Sequence, residues 1–294
     1  MRKQYSLVLV LFFIILSQAY SLTIVRFPAG ETITDTRYDY PAALLDLALD
    51  KTLSTDGPYR IIRTHPGSVQ ERMMRLLSLG QDFDVITLPA STHADELLRP
   101  IPVPIRKGML GWRLLLIHKD SQSDFQAVRF LFDLQKFRAG YGSNWGDLPV
   151  LEHNFAHVIT NAQYDPLFTM LQAKRFDFLH RAIHEPWNEL AIRKNSHPDL
   201  MIEPILMLYY HNAEFFYVNK ENIALADRIH RGLLQALDDG SFDSLLYQWY
   251  GEYLAKIDFQ NRRIFNLNNP FIPDSLPLDE PKFWFNPFLT HMGD

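Results

Sequence analysis

The chain contains no cysteine. Disulfides, thiolate metal sites and a cysteine nucleophile are therefore excluded, and cysteine usage leaves the redox compartment open. No charge of one sign dominates: 29 Lys and Arg against 34 Asp and Glu give a formal −5. That balance does not suit a polyanion as main partner, so no nucleic acid is expected. Beyond residue 21 no stretch is long and apolar enough to span a bilayer. Internal repeats and low-complexity tracts are also missing. The hydrophobic (47%) and charged (21%) fractions of the 294 residues are those of a globular protein with an ordinary core. The length fits one large domain or two modest ones.

Catalytic motifs are missing too. His180, His184 and Glu185 have metal-site spacing, but H-E-x-x-H would need His where Asn188 stands, and Pro186 interrupts a helix there. They read as polar loop residues. Gly140-Tyr141-Gly142-Ser143 lacks the G-K-[ST] of a phosphate loop and the first Gly of G-x-S-x-G, and Trp145 occupies the third Gly of a dinucleotide fingerprint. No acid–base pair stands out, so neither an enzyme nor a cofactor is expected.

What is present begins with a leader. Arg2-Lys3 is a basic n-region, Leu7–Leu16 an apolar h-region, and Ala19-Tyr20-Ser21 a small-x-small cleavage site. The apolar core of about ten residues is short of the roughly 20 that a spanning helix needs. Cleavage near Ser21 and a soluble, exported, periplasmic protein of charge −7 are expected, without a lipid anchor because no cysteine follows.

The mature chain alternates strand and helix signals. Leu22–Phe27 reads as a strand, Tyr40–Leu53 as a helix and Tyr59–Arg63 as a strand. Ser68 with Glu71 makes a capping box for a helix over Val69–Leu79, closed by Gly80, and Phe83–Leu88 is a third strand. This β-α-β-α-β series predicts a parallel sheet flanked by helices. At Ile105–Ile117 a charged, Gly-punctuated run passes into an apolar strand, and a second alternating unit begins. It contains strands near Lys136–Ala139, Val158–Thr160 and Phe176–Leu179, with helices over Phe125–Phe132, Asp165–Ala173 and up to Arg193. Strands Ile202–Tyr210 and Glu214–Val218 and helices Ala224–Leu237 and Phe242–Tyr250 follow. The end, from Asn268, is rich in Pro and aromatics and reads as an extended surface tail.

Several residues suit a ligand cleft. The loop Gly140–Gly146 can present backbone N–H groups to an anion. Trp112 and Trp145 offer flat faces beside glycines, or else serve as packing. Arg181 follows the apolar strand FDFL, whose end should open toward a crevice. It either takes a carboxylate or phosphate bidentately or pairs with Glu185.

Three segments carry a resemblance. FDVITLPAS is similar to a D-[LV]-x-x-x-x-x-[ST] strand and loop, and LFTMLQAKRFDFLHR to an L-x-x-G-R-x-D-A-x-x-x-D segment. ALADRIHRGLLQALDDGSFDSLLYQWYGEY is similar to a closing helix pair with D-G-x-[YF] and K-W-[YF]-G. On these the chain resembles, over roughly 23–255, the family-3 (amino-acid type) solute-binding proteins of bacterial ABC importers. The resemblance implies an α/β, two-lobed type II periplasmic-binding fold with hinge crossings near Arg106–Trp112 and Tyr209–Glu214. Lobe 1 would comprise residues 22–108 plus 214–263, lobe 2 residues 109–213, and the surface tail residues 264–294. It also implies a small solute as ligand, closure without chemistry, a monomer, and an ABC permease or a sensor protein as partner; the alternative is an orphan sensory or regulatory binding module that acts through a protein partner or a cell-wall fragment. The pattern departs at two points. Where the family places an Arg after the [ST] of the first-lobe loop, Asp95 and Glu96 follow Ser91; where it places a second-lobe Asp, Ala182 stands after Arg181. The ligand is therefore expected to be a small polar or aromatic solute, amino-acid-like or an organic anion. The residues expected to contact it are Arg26, Tyr38, Gln70, Pro89, Ser91, Trp112, Ser143, Trp145, Arg181 and Glu185. Arg106, Lys107 and Arg113 are expected to be solvated or structural.

Overall fold

The computed structural model describes residues 21–30, 36–65 and 70–288; the leader before Ser21, the cap at Ser68 and the start of its helix at Val69 lie outside them. Strand β1 (Thr23–Pro28) pairs in parallel with β2 (Tyr59–Thr64), Thr23 opposite Tyr59, and the connection carries helix α1 (Asp39–Lys51) and the single turn α2 (Leu53–Asp56). Helix α3 (Gln70–Ser78), strand β3 (Val85–Pro89), helix α4 (Thr92–Leu97) and strand β4 (Arg99–Ile101) follow. The expected three-stranded parallel sheet is split. The Asp84 carboxylate takes the Arg26 backbone N–H at 2.8 Å and Asp84 N donates to Arg26 O at 2.9 Å, but β1 and β3 are not paired as strands. Strand β3 instead pairs antiparallel with the later strand β10 (Glu214–Val218), which also carries β4.

The second lobe starts after a 3-10 turn at Met109–Gly111. Strand β5 (Trp112–His118) is buried at all seven positions, as a central strand covered on both faces must be. Helices α5 (Gln122–Ala127) and α6 (Leu131–Leu134), strand β6 (Ala139–Gly142), helix α7 (Leu148–Asn154) and strand β7 (Val158–Asn161) come next. Helix α8 (Tyr164–Gln172), strand β8 (Phe178–Ala182), helix α9 (Pro186–Arg193) and strand β9 (Leu200–Tyr209) complete this passage.

Two expected strands move. The one placed at Lys136–Ala139 begins at Ala139 and consumes the first half of the expected Gly-rich loop. The one placed at Phe176–Leu179 starts two residues later, because the Asp177 carboxylate is drawn to Arg138, accepting its backbone N–H at 2.7 Å and its guanidinium. Arg181 and Ala182 therefore lie inside β8 rather than beyond it.

After β10 the helices α10 (Ile223–Asp238) and α11 (Ser241–Ala255) pack on lobe 1. Helix α10 buries Leu225, Ile229, Leu233 and Ala236 at helical spacing, each Leu or Ile contributing about 1.5–3 kcal/mol. It can do so because Gly232 faces the Ala48 carbonyl of α1 with no room for a Cβ. The tail expected from residue 264 begins instead with strand β11 (Arg263–Asn266), parallel to β9 at the edge of the lobe-2 sheet, whose order is β11-β9-β5-β8-β6-β7. Four residues of ordinary strand pattern, isolated behind two helices, gave no sign of the neighbour they pair with.

The two crossings run side by side. Tyr210 N donates to Gly111 O at 3.2 Å, and a Cβ on Gly111 would overlap the Tyr210 carbonyl oxygen. Arg106 pairs with Glu214, donates to the Tyr250 hydroxyl at 2.9 Å and lies over the Tyr40 ring; Lys107 pairs with Asp243 at 2.7 Å. Both cations are engaged by carboxylates, and Arg106 also lines the cleft. The two-lobed α/β fold with two hinge crossings is the one the sequence resemblance implies.

Candidate functional site

The cleft between the lobes opens into two compartments, of about 780 and 740 Å³, on either side of Leu110 in the first crossing. Both are lined by Arg37, Gln70 and Pro89 from lobe 1 and by Tyr164, Arg181 and Glu185 from lobe 2. Polar groups near the strand ends and flanking helices of an α/β sheet face such a crevice for topological reasons.

The lobe-2 floor holds two charge clusters. In the first, Arg113 at the start of β5 lies opposite Ala182 at the end of β8 and pairs with Asp147, the residue before α7. The Asp147 carboxylate also accepts the hydroxyls of Tyr141 and Tyr210, the latter at 2.5 Å, and the Asn212 amide at 3.2 Å. Burial works against this ionised carboxyl, but Arg113 and the hydroxyl donors together outweigh it and bring its pKa down to about 2. Arg113 is 5% exposed and not solvated. His180 stacks on Tyr141 with centroids 4.7 Å apart, and neither ring nitrogen has a hydrogen-bond partner among the described residues. Burial, first, and then the Arg113 charge push its pKa well down, so the ring is neutral.

The second cluster is centred on Arg181. Its Nε donates to Glu189 at 2.8 Å and its Nη2 lies 2.7 Å from the same carboxylate and 3.1 Å from Glu185. The guanidinium lies 4.5 Å from the Trp145 ring centroid, a cation–π arrangement. Trp145 can fold back this way because Gly142 leaves its ring space that a Cβ would fill. Tyr164 donates to Glu189 at 2.5 Å, and Glu185 accepts the Ala182 N–H at 2.7 Å. Burial opposes ionisation of Glu185, and the Arg181 charge, with His184 and Arg113, reverses this and lowers its pKa. With Arg113 and Arg181 against Asp147, Glu185 and Glu189, the two clusters carry one net negative charge. Glu185 is the more exposed of the two carboxylates on Arg181, its side chain 28% accessible against 8% for Glu189.

Of the residues expected at the site, Gln70, Pro89, Arg181 and Glu185 line both compartments, Ser91 and Trp145 the first, and Tyr38 the second. Ser91 also caps α4, its hydroxyl accepting the Ala94 N–H at 3.2 Å. Three fall elsewhere. Arg26 is engaged by Asp84 at 2.8 Å between the lobe-1 strands. Trp112 is buried among Tyr209, Phe259 and Phe285, away from the cleft lining. Ser143 lies on the exposed loop after β6 and is absent from both linings. Arg37, Asp147, Tyr164 and Glu189 were not anticipated. An arginine at the start of an otherwise apolar strand, as at Arg113, was the available signal for a buried partner.

No family model and no curated protein sequence matches the chain. Solved structures do match. An ancestral arginine-binding protein bound to glutamine is 15% identical with a TM-score of 0.52, covering 78% of this chain and 98% of its own. A Bacillus subtilis protein is 16% identical with a TM-score of 0.52, over 83% of this chain and 96% of its own. An ancestral amino-acid-binding protein, described as a precursor of cyclohexadienyl dehydratase, is 11% identical with a TM-score of 0.52, over 77% and 95%. At these identities the likeness is one of fold, and the fold is that of two-lobed periplasmic binding proteins.

Proposed function

We propose that the protein is a divergent, exported family-3 solute-binding protein that closes over a small amino-acid-like zwitterion and performs no chemistry. The observation that carries this reading is the charge arrangement across the cleft. Arg37 of lobe 1 and Glu185 of lobe 2 line both compartments, and the lobe-2 floor has one excess negative charge. A ligand carboxylate would meet Arg37 and a ligand ammonium Glu185, each a charge-assisted contact in a partly desolvated cleft. The fold neighbours include proteins described as arginine-binding and amino-acid-binding, which supports an amino-acid-like solute. An organic anion has less support, because the lobe-2 floor already carries one excess negative charge. Lobe closure would be driven by the ligand's preference for the closed over the open state. Delivery to an ABC permease is the partner function that fits this reading.

A thermal-shift screen of the twenty standard L-amino acids tests it. Saturation at 100 times Kd stabilises by about 2.7 kcal/mol, several degrees for a chain of this size. At least one amino acid should give such a shift with the native protein and lose it with Glu185→Gln. No shift across the panel contradicts the proposal.

A further inference from the structure

Lobes that close on a ligand need hinge crossings free to change their backbone angles. Here both crossings are covered by the chain that follows β11. Leu267, whose N–H donates to Tyr209 O at 2.8 Å, sits in the lobe-2 core, and Asn268 bonds in both directions with Asn154 of α7. The segment then leaves lobe 2. Asn269 donates to the His211 carbonyl of the return crossing at 2.9 Å, and it and Phe271 reach the lining of the first compartment. Leu276 is buried in a lobe-1 core, Phe283 in the core that runs from lobe 1 to the base of lobe 2, and Lys282 pairs with Asp238 of α10 at 3.0 Å. The segment next meets the outgoing crossing. The Trp284 ring packs over Gly108, where a Cβ would overlap it, and stands edge-on to His211 with centroids 5.3 Å apart. Phe285 N donates to Lys107 O at 2.6 Å, and the Phe285 ring contacts Trp112 at the start of β5. One indole therefore touches both crossings.

We propose that residues 267–288 form a strap, a covalent link between the lobes additional to the two crossings and to the 256–262 passage from α11 to β11, that clamps both crossings and narrows the range of lobe opening through the Trp284 wedge. Gly108 serves the clamp twice: it adopts φ of 68°, favoured by glycine, and it leaves the indole its seat. The strap does not depend on what the cleft binds. Its consequence for any ligand is a smaller closure cost, because fewer open arrangements must be given up on binding.

The absence of cysteine makes a direct test straightforward. Arg75→Cys on α3 and Gln163→Cys just before α8, both exposed and on opposite sides of the cleft, take a pair of spin labels in the full chain without ligand. Electron–electron distance measurements should give a narrow distribution in the otherwise native protein. Trp284→Ala should broaden it toward longer distances by more than ~2 Å, the scale of a hinge rearrangement. Phe285→Ala, which spares the indole, should broaden it less. An unchanged distribution in Trp284→Ala, whether or not its melting temperature falls, overturns the clamp and leaves the segment a packing element. A failed amino-acid screen would not alter this result, since no ligand enters it.

Discussion

Asp147 is the residue on which the second lobe and the hinge most visibly depend, and its loss should be measurable. Its carboxylate is the counter-charge of the buried Arg113 and the acceptor for Tyr210 and Asn212 of the return crossing. Asp147→Asn leaves the Arg113 guanidinium without a charge partner. Breaking a buried pair from one side costs about 3–5 kcal/mol, and urea denaturation at pH 7 should show a loss in that range. The pH dependence is a second, independent signature. The folded pKa is about 2 against an ordinary 3.8, so the unfolded chain binds the proton more readily. The stabilisation, about 2 kcal/mol in all, is fully present above about pH 5 and is lost as pH falls toward 2. The gap between native protein and Asp147→Asn should therefore narrow by about 1 kcal/mol between pH 7 and pH 3. A loss below 1 kcal/mol at pH 7, or a gap independent of pH, would refute the placement of this charge.

Two further substitutions test the packing around the site. Gly111→Ala sets a Cβ against the Tyr210 carbonyl between the two crossings and should destabilise by about 1–3 kcal/mol in urea; a change under 0.5 kcal/mol would contradict the close approach. Arg181→Met strands the buried Glu189 carboxylate and should cost about 3–5 kcal/mol, most of it regained in Arg181→Met/Glu189→Leu. A double variant no better than the single one would show that the pair is not the unit of stability.

Much of the fold was legible because apolar periodicity is a local property. The buried run of β5, the amphipathic α10 and the Gly240 that separates it from α11 are all written in short windows of sequence. The charge clusters are not local. Arg113 and Asp147 are 34 positions apart, and nothing in either neighbourhood names the other; the pairing exists only because β5 and β6 belong to one sheet. Arg181 was recognisable as a candidate because it follows an apolar strand, and its alternative partner Glu185 was visible at four residues' distance. Glu189, which engages it more closely, was not. The two tryptophans show the same limit from the other side. Both stand near glycines in sequence, yet Trp145 turns toward the cleft while Trp112 joins the aromatic cluster closed by Phe285. What separates them is a tail more than 100 residues downstream in sequence.

The strap also bears on how the cleft would work. If Trp284 holds the hinge as proposed, Arg37 and Glu185 would line the cleft at a restricted set of separations, which would favour ligands whose own two charges sit at a fixed distance. The most direct measurement is calorimetric binding of one amino acid that stabilises the protein, compared with its N-acetyl and its methyl-ester derivatives. Each derivative removes one of the two charges, and each should weaken binding by at least about tenfold, the effect of losing one charged hydrogen bond. Undiminished binding of both derivatives would contradict the reading of this cleft as a site for zwitterions.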